Sequence, residues 1–167
     1  FNLRGCSGED NLLLPTYHSG KTEDLDFVIN YLIENYSYDK IMVVGYSLGG
    51  NMTLKYFGEH VKTISDKVSC AVAISVPVDL ASSSRIMGTS KNKIYMYKFL
   101  RSLRKKILIK NQKYPDYKLD IKKLLKSKTF KEFDGLYTAP VSGFTGPEDY
   151  WEKASSKPYL TSIKKPV

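Results

Sequence analysis

The chain has 167 residues, 42% of them hydrophobic and 13% aromatic, with a formal net charge of +9. That is one domain or a piece of one, with apolar content that excludes global disorder. No apolar run approaches the roughly 20 residues of a membrane span, and Cys6 and Cys70 lie too far apart for a disulfide framework or a metal-binding pair, which leaves two free thiols in a reducing compartment as the reading.

Phe1-Asn2-Leu3-Arg4-Gly5 reads as the end of a strand entering a turn cluster that runs to Gly8, as if the sequence opened inside a domain. Thr16-Tyr17-His18-Ser19-Gly20 then leads into a helix. Ser19 or Thr22 is its candidate N-cap, and Glu23 and Asp24 suit the first turn. Leu25, Val28, Ile29, Leu32, Ile33 and Tyr36 recur at helical spacing, a stripe suited to packing on a sheet.

The apolar run Ile41-Met42-Val43-Val44 comes next and ends in Gly45-Tyr46-Ser47-Leu48-Gly49-Gly50. A continuous apolar run bounded by glycine is expected of a strand buried on both faces of a parallel sheet. Asn51 to Phe57 continues as a helix, which Gly58 would end. A G-x-S-x-G pattern between strand and helix is the nucleophile-elbow motif of α/β-hydrolases. The serine occupies a strained turn, and side chains at the flanking glycines are expected to collide with neighbouring elements. The helix start at Leu48 presents a free backbone N–H to a developing oxyanion. Three fixed positions match by accident in roughly one chain of this length in twenty, so the flanking elements carry the weight. The competing reading is a glycine-rich turn whose serine only caps the helix.

Val68 to Val76 is a second buried-type strand, stopped by Pro77. Strand, helix, strand, helix, strand calls for a parallel sheet with right-handed crossovers. After Asp79 no strand is evident before Pro158. Asn92 to about Leu108 reads as a helix carrying Ile94, Tyr97, Leu100, Arg101, Leu103, Arg104, Ile107 and Leu108, with shorter helices at Leu119–Lys126 and Thr129–Phe133. From Arg85 to Lys131 sixteen Lys or Arg face only Asp116 and Asp120, a balance of +14 that leaves about −5 for the rest. Pro158 to Val167 reads as a loop arriving at another strand.

These residues resemble the YheT-like group (α/β-hydrolase family 4) of the α/β-hydrolase superfamily, whose eukaryotic relatives include lipid and phospholipid esterases. The resemblance rests on Asn2-Leu3-Arg4-Gly5-Cys6-Ser7-Gly8-Glu9, on Tyr17-His18-Ser19-Gly20-Lys21-Thr22-Glu23-Asp24-Leu25, and on Gly45 through Asn51. Further on, Glu132-Phe133-Asp134, Tyr137-Thr138-Ala139-Pro140, Gly143-Phe144, Asp149-Tyr150 and Ala154-Ser155-Ser156 continue it, so it covers essentially the whole chain.

The resemblance implies a partial parallel-sheet α/β-hydrolase core with a helical cap insertion. Residues 1–80 would form the core, 81–157 a basic helical cap over the serine, and 158–167 the return to a truncated strand. Of the triad only Ser47 carries over, as nucleophile, with Leu48 supplying one oxyanion N–H. The family's catalytic Asp and His are expected downstream of Val167, and its second oxyanion donor upstream of Phe1. His18 is expected to order its loop, His60 to lie at the far end of the elbow helix, and Asp79 to turn the chain into the cap. The expected function is hydrolysis of carboxylic esters, with lipid or phospholipid acyl esters as small-molecule substrate, no cofactor and no metal. A non-catalytic lipid-binding module and an acyltransferase are the alternatives. The basic segment points to an anionic membrane surface or to a solvated lysine-rich face, and not to nucleic acid, because its aromatics fall where helices pack. Association with a membrane through a segment outside this chain stays open.

Overall fold

In the computed structural model, which describes all of residues 1–167, the apolar stripe after Thr22 forms helix α1 (Glu23–Asn35). Glu23, Asp24 and Asp26 in its first turn suit the positive end of the helix dipole. Thr22, not Ser19, holds the N-cap position, and its hydroxyl donates to Glu59 Oε2 (2.8 Å) instead of capping. Leu25 and Ile29 are buried and Ile33 packs beside them, whereas Tyr36 lies past the helix, exposed.

Strand β1 (Ile41–Tyr46), helix α2 (Leu48–Glu59) and strand β2 (Val68–Ile74) come next in the chain. The strands pair in parallel, from Met42 opposite Cys70 to Tyr46 opposite Ile74. Leu25 and Ile29 of α1, Tyr56 and Phe57 of α2, and Val68 and Ala71 of β2 make one core, with Ile41 and Val43 against it. Both helices therefore cover the same sheet face.

The other face corrects an expectation. Met42, Val44 and Tyr46 lie in register with Cys70, Val72 and Ile74, and all of them except the half-buried Cys70 are exposed. The apolar run does form a strand, but within this chain it is buried on one side only. Nor is there a strand at residues 1–5, where Arg4 and Gly5 form a turn closed by Cys6 N–H to Leu3 O (2.9 Å). Gly58 does not end α2 either. An added Cβ there would lie 2.5 Å from Tyr159 Cβ and from its carbonyl oxygen, so close packing excludes a side chain.

Beyond β2 the chain is helical: α3 (Leu80–Met87), a 3₁₀ turn at Ser90–Asn92, α4 (Lys93–Lys113), α5 (Ile121–Lys126) and α6 (Phe130–Phe133). A π-helical turn at Asp134–Thr138 joins α6 to α7 (Ala139–Val141), then come α8 (Pro147–Ala154) and a 3₁₀ segment, Lys157–Ser162. Helix α4 is longer than expected, and its phase differs. Met96, Leu100, Ile107 and Lys110 are buried, while Ile94, Tyr97 and Leu108 of the expected stripe are exposed. The tail forms no strand, although Pro166 O accepts from Ala71 N–H (2.9 Å) beside β2.

The chain divides into two compact units: Phe1, His18–Leu80 and Lys153–Val167 form one, Asn2–Tyr17 and Ala81–Glu152 the other. The expected boundaries placed residues 2–17 with the sheet; they cluster with the helices. The cause is a set of long side chains reaching their carbonyls. Lys110 Nζ donates to Asn11 O (2.7 Å) and to Leu13 O, Tyr114 Oη to Leu12 O, and Tyr137 Oη to Leu14 O (2.8 Å). Beneath them Met96, Leu100, Ile107, Leu124, Phe133 and Tyr137 make the second core.

Lys110→Met keeps the buried stem but orphans two carbonyls. Hydrogen bonds to charged groups contribute about 1.5–3 kcal/mol. We expect the variant to lose about 2–4 kcal/mol in chemical denaturation, with faster amide exchange confined to the first seventeen residues.

Candidate active site

Ser47 stands between the end of β1 and the start of α2 with φ 49° and ψ −117°. Such a backbone costs a non-glycine residue of order 1–3 kcal/mol and persists only where its surroundings impose it. Here the imposition is visible. Ser47 N–H donates to Ile74 O (2.8 Å), and Ser47 O accepts from Asn51 N–H (3.1 Å). The residue is exposed, and although it holds the N-cap position of α2 its hydroxyl makes no capping bond there.

The glycines divide in an unexpected way. A Cβ on Gly45 would fall 2.5 Å from Gly49 O and 2.6 Å from Thr53 Oγ1. One on Gly50 would fall 2.6 Å from Val76 Cγ2 and 3.1 Å from Gly45 O, whereas one on Gly49 meets nothing within 4 Å. The expectation that both motif glycines avoid collision therefore holds for Gly45 and fails for Gly49. Gly50 has the packing role.

Leu48 is the first residue of α2, where a backbone N–H has no intrahelical partner. The N-terminal end of the helix dipole lies at the same place, which favours negative charge there. Two residues that sequence reasoning passed over complete the surroundings. Ser75, just past β2, has φ 54°, a second strained non-glycine residue at a strand end. Asn51 is fully buried; its amide donates to Ser19 O (2.8 Å) and Ala154 O (2.8 Å) and accepts from Ser156 N–H (2.9 Å). Its position in the Gly45–Asn51 stretch was the one available pointer to it.

His18 Nδ1 accepts from Gly20 N–H (3.2 Å), which orders the loop and leaves any ring proton on Nε2. Burial, then the Lys21 charge, lowers its pKa to about 4. His60 comes directly after the last residue of α2, about 20 Å along the axis from Ser47. Its ring lies 4.6 Å from that of Tyr56, and Nδ1 is 3.2 Å from Thr63 Oγ1. Asp79 is paired with Lys157 Nζ (3.2 Å). In the helical unit, burial raises the Asp134 pKa to about 6, although Thr138 Oγ1 (2.7 Å) and Trp151 Nε1 (2.9 Å) donate to its carboxylate. No group of His, Cys, Asp and Glu is arranged to hold a metal ion.

Comparison with known proteins places this geometry. The profile described as alpha/beta hydrolase fold matches residues 1–164. The chain belongs to that family. Within it the chain falls in the YheT-like branch. It is 32% identical over 167 residues to YheT of Escherichia coli (strain K12), a protein with esterase in its name, covering 99% of this chain and 48% of that one. It is 30% identical to the monoacylglycerol lipase of Saccharomyces cerevisiae (99% of this chain, 38% of the relative). To the human phospholipase ABHD3 it is 31% identical (100% and 40%). The chain thus spans less than half the length of these relatives. No solved structure gives a significant match.

The packing of the α/β-hydrolase turn is open to test by substitution. Gly45→Ala and Gly50→Ala should each destabilise by about 1–3 kcal/mol through overpacking. Gly49→Ala should be neutral or stabilise by up to about 1 kcal/mol, the helix propensity difference; thermal denaturation separates the two outcomes. Two titrations of opposite sign offer a second test. His18 has a folded pKa below its unfolded one, so its contribution is present above about 6.5 and is lost as pH falls towards 4. Asp134 has a raised folded pKa, so its contribution is full below about 4 and is lost as pH rises through 6. Urea midpoints measured across that window should rise on acidification in His18→Asn relative to the parent, and fall in Asp134→Asn.

Proposed function

We propose that the protein carrying this chain is a serine hydrolase of carboxylic esters, acting through an acyl-enzyme on Ser47. The observation that carries the reading is the backbone of Ser47: a strained, exposed serine at the end of a parallel strand, beside the open N–H of Leu48. Strain at a non-glycine residue whose side chain makes no capping bond points to a functional constraint.

In this reading Ser47 Oγ attacks the ester carbonyl as its proton passes to a general base. The family resemblance puts that histidine, and the carboxylate orienting it, beyond Val167. The carbonyl oxygen becomes an oxyanion facing Leu48 N–H, a donor of a kind typically worth about 3 kcal/mol in rate. Collapse expels the alcohol and leaves acyl-Ser47; water then attacks and releases the acid. An alcohol in place of that water would make the enzyme an acyltransferase. The printed names of the relatives, lipase and phospholipase among them, favour lipid or phospholipid acyl esters as substrate. A basic segment favours encounter with them at an anionic membrane surface.

The full-length protein should react with a fluorophosphonate probe, and Ser47→Ala should abolish the labelling while the fold is retained. A folded wild-type sample that does not label would overturn the enzyme reading in favour of a lipid-binding scaffold.

A further inference from the structure

Helix α4 is 21 residues long, about 31 Å at 1.5 Å per residue. Its sequence holds eight Lys or Arg and no acidic residue. Met96, Leu100 and Ile107 turn inward onto α5 and α6, and Lys110 is buried against Asn11 and Leu13. On the opposite side Ile94, Tyr97, Lys98, Arg101, Lys105 and Leu108 succeed one another at helical spacing, and all six are exposed. Ile94 is 72% and Tyr97 60% exposed. Lys98, Arg101 and Lys105 enter none of the salt bridges of the structure.

We propose that this outer face of α4 docks on an anionic lipid bilayer. The charge complement of three unpaired cations is an acidic surface, and the apolar residues flanking them choose which kind. An interfacial helix sets its aliphatic and aromatic side chains below the headgroups and its Lys and Arg at phosphate level. Ile94 and Tyr97 on one side of the three cations and Leu108 on the other give this face that composition. A nucleic acid would draw on the cations but find little use for exposed Ile and Leu, since strand recognition relies on phosphate contacts and stacking. The proposal deepens the lipid-ester reading by naming where the protein meets its substrate's source, and it rests on that reading only for biological sense. Its physical basis is the helix face.

The test uses the full-length protein with Ser47→Ala, so that turnover does not alter the lipid. It is cosedimented with pure phosphatidylcholine vesicles and with vesicles of two parts phosphatidylcholine to one part phosphatidylserine. Binding should be selective for the anionic vesicles and weaken with salt. Lys98→Gln/Arg101→Gln/Lys105→Gln should weaken it about a hundredfold, as expected for three cations near such a surface. Ile94→Ser/Tyr97→Ser/Leu108→Ser should weaken it about tenfold at low salt. In the Ser47 background both triple variants should keep the parental thermal midpoint and label with the probe like wild type. Equal binding to the two vesicle types overturns the proposal, as does a charge variant that binds like its parent, or preferential binding to single-stranded RNA over the vesicles. Probe labelling without vesicle binding sinks this proposal alone; vesicle binding without labelling sinks only the enzyme reading.

Discussion

One buried amide organises the sheet unit. Asn51 sits on the first turns of α2 with no exposed surface, and its side chain reaches three backbone groups that are 32, 103 and 105 residues away in sequence. Through Ser19 O it holds the loop before α1, through Ala154 O the end of α8, and through Ser156 N–H the entry to the 3₁₀ segment. Removing the amide would leave those three buried groups unpaired, at about 1–3 kcal/mol each. Aspartate, though isosteric, offers no donor and would bury a charge. Close packing of backbone depends on the same clamp. Gly20 lies against Ala154, where a Cβ would come within 2.6 Å of its Cα.

The strained turn is built on this clamp. Ser47 is gripped from two directions, its N–H by the end of β2 and its carbonyl by the backbone of Asn51. Gly50, one residue before Asn51, lets Val76 approach the turn. The conformation of Ser47 is thus imposed by neighbours whose own positions are fixed by buried hydrogen bonds. That is the condition under which strain can persist at a non-glycine residue without relaxing.

How much of this was legible depended on the range of the interaction. The strand, the turn and the helix around Ser47 arise from local pattern and were read correctly as elements. The role of Asn51 was not, because an asparagine inside a helix carries no periodic cue and two of its three partners lie a hundred residues away. Residues 2–17 failed for the same reason: Lys110, Tyr114 and Tyr137 supply the donors that fix them. In α4 the helix was right, but of the expected stripe only Leu100 and Ile107 are among its buried residues. Ile94 is as apolar as Met96 and Leu100, and the choice between the two stripes is made by α5 and α6, not by α4's own composition. The reading of β1 and β2 erred differently, since an apolar run reports what both faces of a strand can bury and not what covers each face.

Helix α2 finally separates chemistry from structure along its length. Ligands of open parallel sheets bind beyond the carboxyl ends of the strands, and there both strained serines, Ser47 and Ser75, stand beside the helix N-terminus. The opposite end is a network of satisfied side chains. Lys55 pairs with Glu59 and lies 4.9 Å over the Tyr159 ring. Glu59 accepts from Thr22, and Tyr56 Oη donates to Asp26 Oδ1 (2.9 Å) beneath His60. The helix dipole there also disfavours the anion an acyl-transfer transition state develops. His60 thus stands at the end of α2 away from Ser47, in contact with Tyr56 and Thr63. The polarity of one helix assigns the open N–H and the uncommitted hydroxyl to the end where a carbonyl oxygen could be held.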